Sequence, residues 1–297
     1  SFGFYQLEIN QGGSHAKLNN HSWLQALKKF DAERYIPLEK VEESVSERVA
    51  SLYVLNLELA NIPWKTTDKN IAILKLKWWE ECIETIEFEY RYKAHPFLKV
   101  LGEMVKERKL EKKNLKKLVN ARYTNACNEP FLSVDQQTDY IEETAVNLTY
   151  MALNCFSSVE KVGDRYRLAK YFGMPFGTAR LLLATRVLAE RGLYSLFLEK
   201  KSDYDDFFAL KMNDNLRERV KTEAEKSIKY LKIGIAESRK FRKKNFFSVL
   251  EPSLGYVPVL MSISKNPDIV FEKNISLNFY DKTLSQLTFF LKNIYRD

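Results

Sequence analysis

Val45, Val49, Leu52, Leu55 and Leu59 recur at steps of three and four residues until Pro63 stops the run. That spacing puts side chains on one face of an α-helix. Ser44-x-x-Glu47 at its start has the form of a capping box, as does Ser22-x-x-Gln25, which opens an earlier helix expected to reach about Arg34. Asp68 can cap a third helix, to about Phe88, whose inner face is expected to carry Ile71, Leu74 and Trp78. Leu101, Met104, Leu110, Leu115 and Leu118 supply the apolar positions from Phe97 to about Ala126, and Ser133-x-x-Gln136 starts a helix to about Phe156. Asp164 begins a long helix through Gly173-Met-Pro-Phe-Gly177, where Pro175 must kink or interrupt the ladder. A further amphipathic helix runs from Asn213 to about Lys244, Pro252 and Pro258 break the pattern, and a last helix is expected near Leu284 to Tyr295.

Composition agrees with this reading. Gly, at 10, and Pro, at 8, are scarce, whereas a many-stranded sheet needs frequent turns. With 45% hydrophobic and 29% charged residues the chain is globular rather than disordered. The expected fold class is all-α. No repeat or composition shift marks a linker, so residues 22–297 read as a single helical domain behind an N-terminal extension, residues 1–21, which contains Gly12, Gly13, Asn19 and Asn20 and has no helical period.

Charge widens the list of partners without selecting one. A net charge of +8 suits RNA, an anionic membrane or an acidic protein surface. No RNP signature, zinc-finger spacing or glycine-rich basic tract supports nucleic acid. The basic run Lys106-Glu-Arg-Lys109 and Lys112-Lys-Asn-Leu-Lys-Lys117 reads as a solvated helix face. Cys82, Cys127 and Cys155 are odd in number and far apart, which fits buried structural thiols in a reducing compartment. No run of 18 apolar residues is present, so the chain is not expected to span a membrane, and its start at Ser1 is consistent with a processed N-terminus.

Catalytic motifs are missing. His15, His21 and His95 have no zinc-site spacing, and His95, before Pro96, reads as structural or exposed. Gly173-x-x-x-Gly177 is neither a dinucleotide fingerprint nor a P-loop; two glycines four apart in a helix mean close helix packing. Glu80, Glu81 and Glu84, and likewise Asp139, Glu142 and Glu143, could share a helix face and hold Mg²⁺, but solvated helices commonly carry such acids. Asp203, Asp205 and Asp206 read as a surface loop. The expected set of catalytic, cofactor-binding and metal-binding residues is empty, and no cofactor is expected.

The order of several short segments resembles the squalene/phytoene synthase family, and within it the mitochondrial branch represented by complex I assembly factor 6. They are Asp31-Ala-Glu-Arg-Tyr35, Ser46 to Ala60, Leu76-Lys-Trp-Trp-Glu80, His95-Pro96, Tyr140-Ile-Glu-Glu-Thr144, Tyr171 to Gly177 and Leu182-Leu-Ala-Thr185. The resemblance runs from about residue 22 to 200 and more loosely beyond. It implies an isoprenoid-synthase-like antiparallel helical bundle around a central cavity, where active members hold a prenyl diphosphate through Mg²⁺ and two aspartate-rich motifs. A diphosphate in an apolar cavity needs such neutralisation. Aligned on Leu52-Tyr53, the first acidic pair falls on Ala60 and Asn61. Aligned on Gly173 and Gly177, the Arg-Asp that leads the second falls on Leu183 and Ala184, and the later acids fall near Val187 and Leu188. Glu58 and Glu190 are neighbours that could replace one lost acid, not two whole motifs.

The resemblance therefore implies a pseudoenzyme: a noncatalytic mitochondrial protein of the matrix or the matrix face of the inner membrane. It would assist assembly of a respiratory-chain complex, complex I first, or serve as an accessory subunit of one. Its expected partners are protein subunits of a multi-subunit complex, with a lipid or isoprenoid in a vestigial cavity, peripheral membrane contact, and nucleic acid only in a mitoribosomal setting. A structural subunit of ATP synthase or the mitoribosome, and an active prenyltransferase with a rearranged metal site, remain the alternatives.

Overall fold

The computed structural model describes residues 22–66, 68–88, 95–156, 161–241 and 245–272, and their regular structure is helical without a strand. The helices are α1 (Ser22–Phe30), α2 (Ala32–Tyr35), α3 (Glu43–Ala60), α4 (Ile62–Lys65), α5 (Lys69–Glu84), α6 (Phe97–Lys106), α7 (Lys112–Cys127), α8 (Val134–Ile141), α9 (Asn147–Leu153), α10 (Val162–Glu190), α11 (Lys201–Phe208), α12 (Asp214–Ser238), α13 (Phe247–Leu254) and α14 (Val257–Lys265). A π-turn, Glu142–Val146, joins α8 to α9, and 3₁₀ turns follow α2 and α14. The extension and the helix expected near Leu284 to Tyr295 lie outside the described residues.

Three helix starts follow their side-chain caps. Asp68 accepts from Asn70 N–H, Ser133 from Gln136 N–H and Asn213 from Leu216 N–H, each meeting a donor that the first turn leaves unpaired. Gln136 returns the bond by accepting from Leu132 N–H at 2.5 Å, which completes a reciprocal cap. At α3 the expected box does not form: the helix begins at Glu43, and Ser44 donates instead to the Glu42 carboxylate. The first helix breaks at Asp31 rather than continuing to Arg34, and the basic segment from Phe97 forms two helices, α6 and α7. The helical run is divided between the two prolines, at Gly255 and Tyr256: Pro252 lies inside α13, which ends two residues later, and Pro258 sits in the first turn of α14, where a missing N–H is tolerated.

α10 is the axis of the molecule. It packs on α12 along one side and on α9 and the π-turn along another, with α13 and α8 beside them. Its glycines explain the approach. A Cβ on Gly173 would lie 2.6 Å from Val146 Cα, and one on Gly177 would lie 2.6 Å from an Ile141 methyl and 2.9 Å from Ala145 Cβ. The close packing expected of this pair is what the fold contains, and α10 runs on through Pro175 without interruption. The core joins Leu52, Leu55 and Leu59 of α3 to Leu76 and Ile83 of α5, Leu115 and Leu118 of α7, and Phe172 of α10.

α5 reverses one expectation. Its inner face carries Ala72, Leu76, Trp79, Cys82 and Ile83, whereas Ile71, Leu74 and Trp78 are 45%, 64% and 36% exposed. The helix has two apolar stripes, and spacing alone cannot rank them. The stretch Phe247–Lys265 has a window of mean hydropathy 1.2, but it is divided into α13 and α14 and two-thirds buried, as a core pair would be.

Candidate functional site

A cavity of about 530 Å³ opens among α1, α2, α3, α4, α7, α8 and α10. Its apolar wall includes Phe131, Ile141, Phe176, Leu181 and Leu188, while its polar side is formed by groups of α2, α3, α7 and α10. Three arginines organise that polar side, and each is tied into the scaffold.

Arg34 sits at the helix break. Asp31 N–H still bonds to the Leu27 carbonyl, and its buried carboxylate takes an ion pair from Arg34 Nη1 at 3.0 Å. The Arg34 guanidinium lies 4.1 Å from the Phe176 ring centroid and 5.1 Å from that of Tyr53, so it fastens α2 to α10 and α3. Burial pushes the Tyr53 phenol well above its usual pKa, keeping it neutral beneath the cation.

Arg122 of α7 donates to Tyr140 Oη and to Asn56 Oδ1, both at 2.8 Å, and Tyr140 Oη donates to Asn125 Oδ1 at 2.6 Å. This network closes the wall between α3, α7 and α8. Arg180 of α10 lies 3.8 Å from the Glu33 carboxylate, which also accepts from Tyr256 Oη. Enclosure works against the Arg180 charge, but Tyr256, Glu33 and Asp31 outweigh it and raise its pKa. The cavity's acids are thus committed: Asp31 to Arg34, Glu33 to Arg180 and Tyr256, and Glu129 to Lys69 at 3.4 Å.

The positions where the resemblance places a metal clamp can now be located. Ala60 and Asn61, at the end of α3, line the cavity, as do Ala184 and Leu188 of α10. Leu183 is buried at 5% exposure in the hydrophobic core, and Val187 is not part of the cavity wall. Glu58 pairs with Lys65 at 3.2 Å and Glu190 with Arg186 at 2.8 Å, both outside the lining. Among the described residues no three His, Cys, Asp or Glu side chains gather as metal ligands would. These residues do not fit a magnesium–diphosphate clamp, because methyl, amide and isobutyl groups offer no charge to a cation.

The other sequence-flagged residues disperse. Lys116 pairs with Glu84, and Lys170 with Glu142 at 2.6 Å. Burial raises the Glu143 pKa, with Lys117 opposing. Asp203 corrects its surface-loop assignment: it is on α11, buried, and accepts from Asn213 and Asn215. Cys82 and Cys155 are buried as expected, with burial pushing the Cys155 thiol up to about 12, whereas Cys127 is half-buried. His95 packs against Trp78, Trp79 and Phe97, and burial lowers its pKa. Sequence reasoning missed Arg122 and Arg180. A lone arginine inside the apolar stretch Gly177-Thr-Ala-Arg-Leu-Leu-Leu183 was the available signal.

A helical bundle with its cavity between α3 and α10 is the architecture of isoprenoid synthases. A crystal structure of a dehydrosqualene synthase in complex with ligand superposes with a TM-score of 0.71 over 92% of this chain and 96% of that one, at 12% identity. The squalene/phytoene synthase model matches residues 27–281, and the chain belongs to that family. Within it, the chain is similar to proteins named NADH dehydrogenase (ubiquinone) complex I, assembly factor 6. The human protein is 25% identical over 56% of this chain and 49% of its own length. The bovine protein is 22% identical over 77% and 69%, and the mouse protein 22% identical over 66% and 60%. The chain thus spans about half to two-thirds of the length of these relatives.

Proposed function

We propose that this protein is a noncatalytic member of its family that acts in mitochondria, assisting assembly of respiratory complex I by contacting its subunits. The observation that carries the reading is the neutral rim at Ala60, Asn61 and Ala184, with every cavity acid engaged by a cation or a phenol. Ionising a prenyl diphosphate requires charge stabilisation that these groups do not provide. The assembly-factor names of the relatives support the choice of complex I. Location on the matrix side of the inner membrane belongs to the same proposal.

Two measurements test it. Native gel separation of mitochondrial extract is expected to place the chain with partial complex I intermediates and not with the mature complex. Stoichiometric migration with a mature complex would make it a subunit instead. Purified protein is expected to release no diphosphate from a prenyl diphosphate with or without Mg²⁺, and Mg²⁺-dependent release would restore the enzyme reading. The retained cavity, apolar on one side and polar on the other, supports a second element: a lipid or isoprenoid held without reaction. Mass spectrometry of extracted ligands is expected to find one.

A further inference from the structure

We propose that the outer face of α5 is a membrane-docking surface for anionic phospholipid. Ile71, Leu74 and Trp78 would enter the headgroup layer, and Lys75 and Lys77 would meet lipid phosphates. The stripe recurs at i, i+3 and i+7, spans about 10 Å of helix and stays exposed although α5 is firmly seated. Ala72, Leu76, Trp79, Cys82 and Ile83 hold the opposite side in the core, so the helix cannot rotate to hide it. The indole of Trp78 is positioned by ring contacts with Trp79 at 4.9 Å and His95 at 5.4 Å.

Charge selects the occupant. Along the stripe from Lys69 to Trp78 the charges are Lys69, Lys75 and Lys77, and the acids of the helix, Glu80, the exposed Glu81 and Glu84, all follow Trp78 at its far end. At about 100° per residue, Lys75 falls to one side of the stripe's centre and Lys77 to the other, each roughly 70–90° away. An apolar stripe with a tryptophan and lysines on both flanks is the arrangement of helices that lie in a bilayer interface, their lysine stems extending along apolar surface to place the ammonium at phosphate. Lys75 and Lys77 make no ion pair among the described residues, unlike Lys112 and Lys116 of α7, which pair with Glu87 and Glu84. The net charge of +8 favours the same partner.

Place gives the surface a use. α5 begins at the cavity rim: Trp64 of the preceding α4 lines the cavity, and Lys69 pairs with Glu129, another lining residue. Its far end meets the start of α7, where Lys112 Nζ donates to the Glu84 carbonyl. The N-terminal end of α5 thus lies close to the cavity lining.

The test is flotation of the full chain with vesicles of phosphatidylcholine alone or mixed with phosphatidylglycerol. Wild type is expected to float with the mixed vesicles and much less with the neutral ones. The triple variant I71S/L74S/W78S is expected to lose binding at least tenfold and to melt somewhat lower, because Trp78 packs on Trp79 and His95; L74S alone, at a side chain 64% exposed, is expected to weaken binding while melting like wild type. K75E/K77E is expected to lose the preference for phosphatidylglycerol. A wild type that stays with neither vesicle, or a triple variant that binds as well as wild type, overturns the proposal. So does a triple variant that loses a cross-link to a mitochondrial protein while vesicle binding is absent or unchanged, since the stripe is then a protein interface. Purified chain and synthetic vesicles contain no complex I, so the outcome is independent of the assembly reading.

Discussion

The two sides of α10 contrast. Where it meets α8 and the π-turn, Gly173 lies against the backbone of Val146 and Gly177 against the side chains of Ile141 and Ala145, each too close for a Cβ without a shift. Where it faces the cavity, Ala184 stands where active relatives of this fold are expected to carry an acid, and Arg180, one turn earlier, pairs with Glu33. The seam is fixed by shape, and the cavity wall by charge. A helical scaffold can therefore keep its packing while the chemistry along the same helix is exchanged, because close packing depends on backbone and Cβ positions and catalysis on side-chain ends.

The comparison can be broken from either side. Arg34→Met has the largest expected effect, a loss of about 3–5 kcal/mol in chemical denaturation, because it strands a buried carboxylate. Asp31 Oδ1 already lacks a hydrogen-bond partner, so the variant leaves the carboxylate with only the more distant Arg180 to offset its charge. The double variant R34M/D31L is expected to recover much of that loss, and failure to recover would mean that the Arg34 stacking on Phe176 and Tyr53, not the charge, holds the wall.

Next comes the seam. Gly173→Ala is expected to cost about 2 kcal/mol net, since overpacking against backbone exceeds the gain in helix propensity. Gly177→Ala is expected to cost about 1 kcal/mol, less than Gly173→Ala, because Ile141 Cγ2 at 2.6 Å and Ala145 Cβ at 2.9 Å are side-chain atoms and not backbone, although both are held close to their own Cα and clear only if the helices part slightly. Thermal melts of the pair check the order, and equal costs would remove the distinction between backbone and side-chain contact.

The smallest effect concerns His95. Burial depresses its pKa in the fold, so the unfolded chain binds more protons. Stability is expected to be fully present above the ordinary histidine pKa of about 6.5 and to fall as pH drops below it. His95→Phe is expected to flatten that part of the stability–pH curve, measured by urea titrations across pH 5 to pH 8.

Much of this was legible from the sequence. Asp68, Ser133 and Asn213 announced helix starts because a cap is a local interaction between residues two or three apart. The Gly173-x-x-x-Gly177 spacing announced that one face of α10 lacks side chains, though not that Ile141, Ala145 and Val146 would fill it. The neutral residues at Ala60, Asn61 and Ala184 could be placed on the cavity in advance through the family resemblance, with Leu183 as the exception that turned to the core.

What the sequence could determine by itself was whatever neighbours along one helix decide: helix class, caps, stripes and the loss of acids from a motif. Tertiary structure decided which stripe of α5 faced inward and that Arg122 would meet Asn56 and Tyr140 from three helices. It also decided that Arg180 would find Glu33 across the cavity mouth. Those outcomes depend on contacts between residues tens to more than a hundred positions apart, and periodicity holds no information about which of two equally apolar faces a neighbouring helix will cover.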